Sequence, residues 1–165
     1  MRVVTGALLI ATIATTGEAQ NDQLHTDWAN LARFRAANDS IGTPRPGERR
    51  VVFMGNSITE AWAPLFAEEF PGKPYVGRGI SGQTTPQMLV RFHQDVVALK
   101  PAVVVILGGT NDIAGNTGPS SVPMIADNLR AMTEIANANG IRVVLASVLP
   151  VYDYPCKPVI RPLNG

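Results

Sequence analysis

Beyond residue 50 the chain alternates two kinds of apolar pattern. "RRVVFMG" and "PAVVVILGG" are short continuous apolar runs, the mark of strands covered on both faces, and "KPYVGRG" and "IRVVLASVLP" are weaker examples. Between them, apolar residues recur at helical spacing. "ITEAWAPLFAEEF" is the first such stretch. "TTPQMLVRFHQDVVALK" is the second, with Leu89, Phe92 and Val96 on one face, Thr85 as cap and Pro86 at the first helical position. The third, "SSVPMIADNLRAMTEIANANG", aligns Ile125, Leu129, Met132 and Ile135 or Ala136, and Gly140 ends it as a left-handed cap. Buried strands alternating with amphipathic helices predict an α/β fold, a flavodoxin-like three-layer α/β/α sandwich on a parallel sheet with four strands present.

Ahead of this body, "HTDWANLARFRAAND" places Trp28, Leu31, Phe34 and Ala37 on one helical face with Thr26 as N-cap, and "SIGTPRPGERR" reads as a surface linker. The division predicted is a leader over 1–19, an N-terminal helix and linker over 20–49, and the main domain over 50–165. The leader has a basic start at Arg2, an apolar run over 3–14 and small residues at Gly17 and Ala19. That run is shorter than the ~20 residues a membrane span requires, so the expectation is cleavage after Ala19 and export to the periplasm or medium, without stable membrane anchoring.

Composition narrows the function classes. The chain has 165 residues, 45% of them hydrophobic, and a formal net charge of +1. Its basic residues are scattered, which gives no electrostatic footprint for nucleic acid. The single cysteine, Cys156, cannot form an internal disulfide and has no neighbouring histidine or second thiol. No metal ligand set and no cofactor is expected.

In parallel sheets ligands bind beyond the carboxyl ends of the strands, and here those ends carry the unusual residues: "GNSIT", "GRGISGQTT", "GGTND" and "SVLPVYDYP". Ser57 opens a helix, so its hydroxyl stands beside its own unpaired N–H at the positive end of the helix dipole. Gly82, lacking a Cβ, can bring a second bare N–H close to a substrate. Asn111 can add a side-chain NH₂. Each residue alone reads as an N-cap, a turn glycine or a loop cap; three at consecutive strand ends read as a nucleophile with an oxyanion hole.

"FMGNSITEAW", "GRGISGQTTPQMLVRF" and "VVVILGGTNDIAG", in this order and spacing, closely resemble the first three sequence blocks of the SGNH, or GDSL-like, esterase/lipase family. The resemblance runs over about 50–155, and "VLASVLP" is similar to the family's fourth strand. It implies a serine ester hydrolase, with Ser57 as nucleophile and the oxyanion hole shared by Ser57, Gly82 and Asn111. The substrate implied is a small carboxylic ester such as an acetylated sugar, a lysophospholipid or a short-chain acyl ester. Asn56 stands where the name-giving aspartate often sits, and Gly77 where relatives often carry asparagine.

A serine needs a general base to become a nucleophile. The family supplies an Asp-x-x-His segment after a fifth strand, and no catalytic Asp or His of that kind follows here. His25 lies ahead of the N-terminal helix and His93 within the helix after Gly82, away from the strand tips; Asp112 reads as a loop cap and Asp95 as a helix-surface charge. The expectation is therefore a truncated member whose activity is in doubt. Two alternatives stand beside it: a non-catalytic acyl- or glycan-binding remnant, and a flavodoxin-like FMN electron carrier with Tyr152 and Tyr154 near the tips.

Overall fold

The structure is a computed structural model, and it describes residues 26–148. The leader, His25, Cys156 and the tyrosines at 152 and 154 lie outside the described residues.

Four parallel strands form one sheet: β1 (Val51–Gly55), β2 (Tyr75–Gly79), β3 (Val103–Leu107) and β4 (Arg142–Leu145), in the order β2-β1-β3-β4. Gly55 at the end of β1 pairs with Gly79 on one side and Leu107 on the other, so the first three strands finish level. β1 lies inside the sheet with a neighbour on each side, and β4 is an edge of the described sheet. Val52, Met54, Val104 and Ile106 point to one face, where two long helices cover them: α4 (Thr85–Asp95) and α6 (Val122–Ala138). Met88, Phe92, Val96, Met132 and Ala136 from that helical layer are fully or almost fully buried. The predicted apolar stripes are thus the ones that pack.

The other face is covered over β1 and β2 by a segment that the sequence presents as one helix. It is three pieces: α2 (Ser57–Trp62), a 3₁₀ turn (Ala63–Leu65) and α3 (Phe66–Glu69). Pro64 has no N–H to donate and sits at the join. Phe53, Trp62, Phe66, Phe70 and Tyr75 meet there, mostly edge to face, with the Phe53 and Phe66 rings tilted at 45° and their centroids 4.7 Å apart. A further short helix, α5 (Thr110–Ile113), follows β3 directly and has no apolar period by which to be read. Among the described residues no helix is long and apolar enough to cross a membrane.

The N-terminal arm differs from expectation. Helix α1 covers only Arg35–Ile41 and buries no residue, while Trp28 is 39% exposed. Asp27 caps the preceding turns, accepting from Leu31 N at 2.7 Å and Ala32 N at 2.9 Å, and Asn30 takes a left-handed φ of 55° that breaks any continuous helix. Much of the docking runs through the arm's backbone: Gln83, Gln87 and Gln94 each donate 2.7 Å side-chain bonds to the carbonyls of Ala29, Trp28 and Leu31, while the Ala29 side chain is buried. The start of α4 is also shifted by one residue from the reading, with Thr84 as N-cap and Thr85 as the first helical residue.

Candidate active site

β1 ends at Gly55, Asn56 serves as N-cap with its side chain accepting from Ile58 N at 3.3 Å, and Ser57 opens α2 with an exposed side chain. The glycines at the tips make this approach possible. A Cβ on Gly79 would stand 2.2 Å from Glu60 N and 2.7 Å from Asn56 O, so α2 lies directly on β2 only because that position is bare. Gly77 is equally tight: its Cβ would meet Ala63 Cβ at 2.3 Å.

The Gly82 loop leaves β2 against α2, where Glu60 reaches Ser81. Gly82 adopts φ +77°, a conformation that favours glycine. Four partners hold the loop. Glu60 accepts from Ser81 N at 2.8 Å and from the Ser81 hydroxyl, Asn116 Nδ2 donates to Gly82 O at 3.0 Å, Asn111 Nδ2 donates to Gln83 O at 2.8 Å, and Gln87 Oε1 accepts from Thr84 N at 3.0 Å. Among the described residues, neither the Ser57 N–H nor the Gly82 N–H donates to a protein acceptor. Two bare backbone donors and a tethered amide therefore stand at the level ends of three adjacent strands. Such an arrangement can receive charge developing on an oxygen.

Charge around the tips is arranged mainly below the surface. Arg91 is 0% exposed and pairs with the equally buried Asp95 at 3.0 Å. Asp95 is thus not the surface charge that its place in the helix suggests; Asn38 from the arm also donates to it at 2.7 Å. Arg78, 4% exposed, donates twice to Asn38 Oδ1 and lies 4.8 Å over the Phe34 ring. Burial pushes its pKa down to about 10, against the opposing pull of Asp95. Burial likewise lowers Arg91, with Asp95 working the other way. Glu60 is held below its ordinary 4.5, first by the Ser81 hydroxyl and also by the Ser81 N–H and Arg33.

Asp112 does cap, but what it caps is a helix. Its buried carboxylate accepts from Thr85 N at 3.0 Å and from the Thr85 hydroxyl, fixing the start of α4 to the loop after β3. His93 is exposed on α4, eight residues beyond Thr85 and so about 12 Å along the helix axis. Among the described residues no group of three or more His, Cys, Asp or Glu side chains could hold a metal ion.

Comparison with known proteins agrees with the fold and the motifs. A sequence model of the GDSL-like Lipase/Acylhydrolase family matches residues 39–163. The solved structure of a GDSL-like lipase from Bacteroides thetaiotaomicron VPI-5482 superposes with a TM-score of 0.76 at 46% identity, covering 80% of this chain and 64% of that one. Esterase TesA of Pseudomonas aeruginosa is 28% identical over 106 residues, which is 62% of this chain and 51% of TesA. The uncharacterized lipoprotein YqeF of Bacillus subtilis is 35% identical over 78 residues, 46% of this chain and 32% of YqeF. The chain thus spans about a third to a half of the length of these curated relatives.

Proposed function

The chain belongs to the GDSL-like lipase/acylhydrolase family, and we propose on that premise that it carries the nucleophile and oxyanion side of a serine ester hydrolase. Ser57 Oγ attacks the ester carbonyl, the carbonyl oxygen takes up negative charge, and the alcohol leaves as an acyl-serine forms. Water then releases the acid. The Ser57 N–H, the Gly82 N–H and the Asn111 amide receive the charge on the oxygen, each such donor being worth ~3–4 kcal/mol of transition-state stabilisation. The observation that carries the reading is the pair of bare N–H groups and the tethered amide at level strand ends.

The mechanism requires a base to take the serine proton. His93 is poorly placed for it, so the reading needs a base from outside residues 26–148. The substrate class is a small carboxylic ester such as an acetylated sugar or a short-chain acyl ester. A cavity of about 220 Å³ lined by Ile58, next in sequence to Ser57, and by Phe53, Trp62, Val105 and Leu107 supports a short acyl group. Export is the matching localisation, supported by the N-terminal pattern of Arg2 and the apolar run over 3–14.

A fluorophosphonate probe tests the assignment. The full chain is expected to be labelled on the peptide containing Ser57, and Ser57→Ala to remain unlabelled. Labelling that persists in Ser57→Ala, or its absence from the wild-type chain, overturns the reading.

A further inference from the structure

A guanidinium with no exposure is expensive, because taking it out of water costs several kcal/mol even when it is paired, and a well-packed apolar side chain at the same place often costs less. Arg91 nevertheless sits at 0% exposure in the middle of α4. Its donors explain what the charge is kept for. Nη2 donates to Gly55 O at 3.0 Å and to Arg78 O at 2.9 Å, Nε donates to Gln83 Oε1 at 2.6 Å, and Nη1 to Asp95 Oδ2 at 3.0 Å. One rigid plane thus touches the last residue of β1, two before Ser57, the residue before the end of β2, and the side chain of the residue after Gly82.

Gln83 extends the connection. Its Nε2 donates to Ala29 O at 2.7 Å, and its own carbonyl accepts from Asn111 Nδ2 at 2.8 Å. Every buried polar side-chain atom among the described residues has a partner, so this cluster is closed and has a single consistent arrangement. The Ser57 turn, the Gly82 loop and the Asn111 amide all connect to the same guanidinium within two links.

We propose that Arg91, acting through Gln83, is a positioning residue that fixes where the Gly82 loop stands relative to Ser57. It touches no substrate. Its effect is to aim two N–H groups at one point before a substrate arrives, which matters because a misplacement of about 1 Å can cost about a hundredfold in rate. A lysine cannot replace it, since an ammonium is a point charge without the planar fork that here reaches four acceptors. The inference rests on the hydrolase reading for its catalytic meaning, while its structural content stands apart.

Two variants of the full chain test it: Arg91→Lys, which keeps the charge that pairs with Asp95, and Gln83→Met, which removes the link and leaves the buried ion pair intact. The first readout is amide hydrogen exchange, which needs no chemistry. In both variants the amides of Ile80, Ser81 and Gln83 are expected to exchange about tenfold faster, while those of Val104 and Ile106 keep their rates. The second readout is the fluorophosphonate reaction, whose saturating rate is expected to fall about tenfold to a hundredfold with little change in the concentration that half-saturates it. Unchanged exchange at 80–83 in a folded Gln83→Met chain overturns the proposal, as does a loss confined to the half-saturating concentration. Should wild type itself not react at Ser57, the hydrolase reading fails and the exchange result alone decides whether Arg91 sets the loop. Should Arg91→Lys not fold, Gln83→Met carries both readouts.

Discussion

Asn111 donates its side-chain amide to the backbone carbonyl of Gln83 at 2.8 Å, joining the tip of β3 to the loop that leaves β2. An amide NH₂ has two hydrogens, and only one is spent on this bond. On the proposed function the other meets the incoming oxygen, with its direction set by the first.

From that division of labour, Asn111→Ala removes both a tether and a donor. The saturating rate of fluorophosphonate labelling at Ser57 is expected to drop about a hundredfold or more, corresponding to ~3–4 kcal/mol. Labelling kinetics on the folded variant check this, and a rate within twofold of wild type removes Asn111 from the oxyanion side.

Asp112 is a stability residue by its contacts. Asp112→Ala leaves the buried Thr85 N–H and hydroxyl without their acceptor, at a cost of about 2 kcal/mol, and is expected to lower the melting temperature by several degrees. Asp112→Asn retains an acceptor oxygen, so the loss measured by thermal melting is expected to be smaller.

Two glycines near the site are expected to behave differently. Gly79→Ala forces a methyl group against the backbone of Glu60 and Asn56, so α2 must move off β2, with a loss of about 1–3 kcal/mol and slower labelling at Ser57. Gly108→Ala meets chiefly the end of the Met88 side chain, Sδ at 2.9 Å and Cε at 3.0 Å, which can swing aside. Denaturant unfolding of the pair checks that the first is clearly the more damaging.

The acid side of the stability curve reports on Glu60. Its folded pKa is depressed below 4.5 by Ser81 and Arg33, so its contribution is complete above pH 4.5 and is lost as pH falls through the lower folded value. Melting temperatures of wild type and Glu60→Gln are expected to be separated at pH 6–7 and to converge below pH 4.5. A gap that stays constant to pH 3 excludes the Glu60 carboxylate as its source.

Much of this was readable from the chain. The strands follow from continuous apolar runs, the packed faces of α4 and α6 from their spacing, and the exposed hydroxyl of Ser57 at a helix start from a glycine, an amide and a hydroxyl at a strand end. What stayed hidden was polar and buried. Gln83, Gln87, Arg91 and Asp95 recur every four residues, which by pattern alone is a solvated helix face; the Arg91–Asp95 spacing was the available signal, since i,i+4 pairs meet. Nothing local told that an arm from before residue 42 would cover that face. The arm was legible only in part for a related reason: its apolar residues suggested side-chain packing, and Phe34 does meet Arg78, but the carbonyls of Trp28, Ala29 and Leu31 carry contacts that no side-chain pattern announces.

That manner of docking has an evolutionary corollary. Carbonyl groups are common to all twenty amino acids, so positions 28 and 31 can drift in sequence with little effect on how they are gripped, while Ala29, 3% exposed, and Asn30, at φ 55°, keep the chain on its path. The three glutamines that grip it have no such freedom. Inheritance should therefore look lopsided across this contact, permissive on the strap and strict on the buckle.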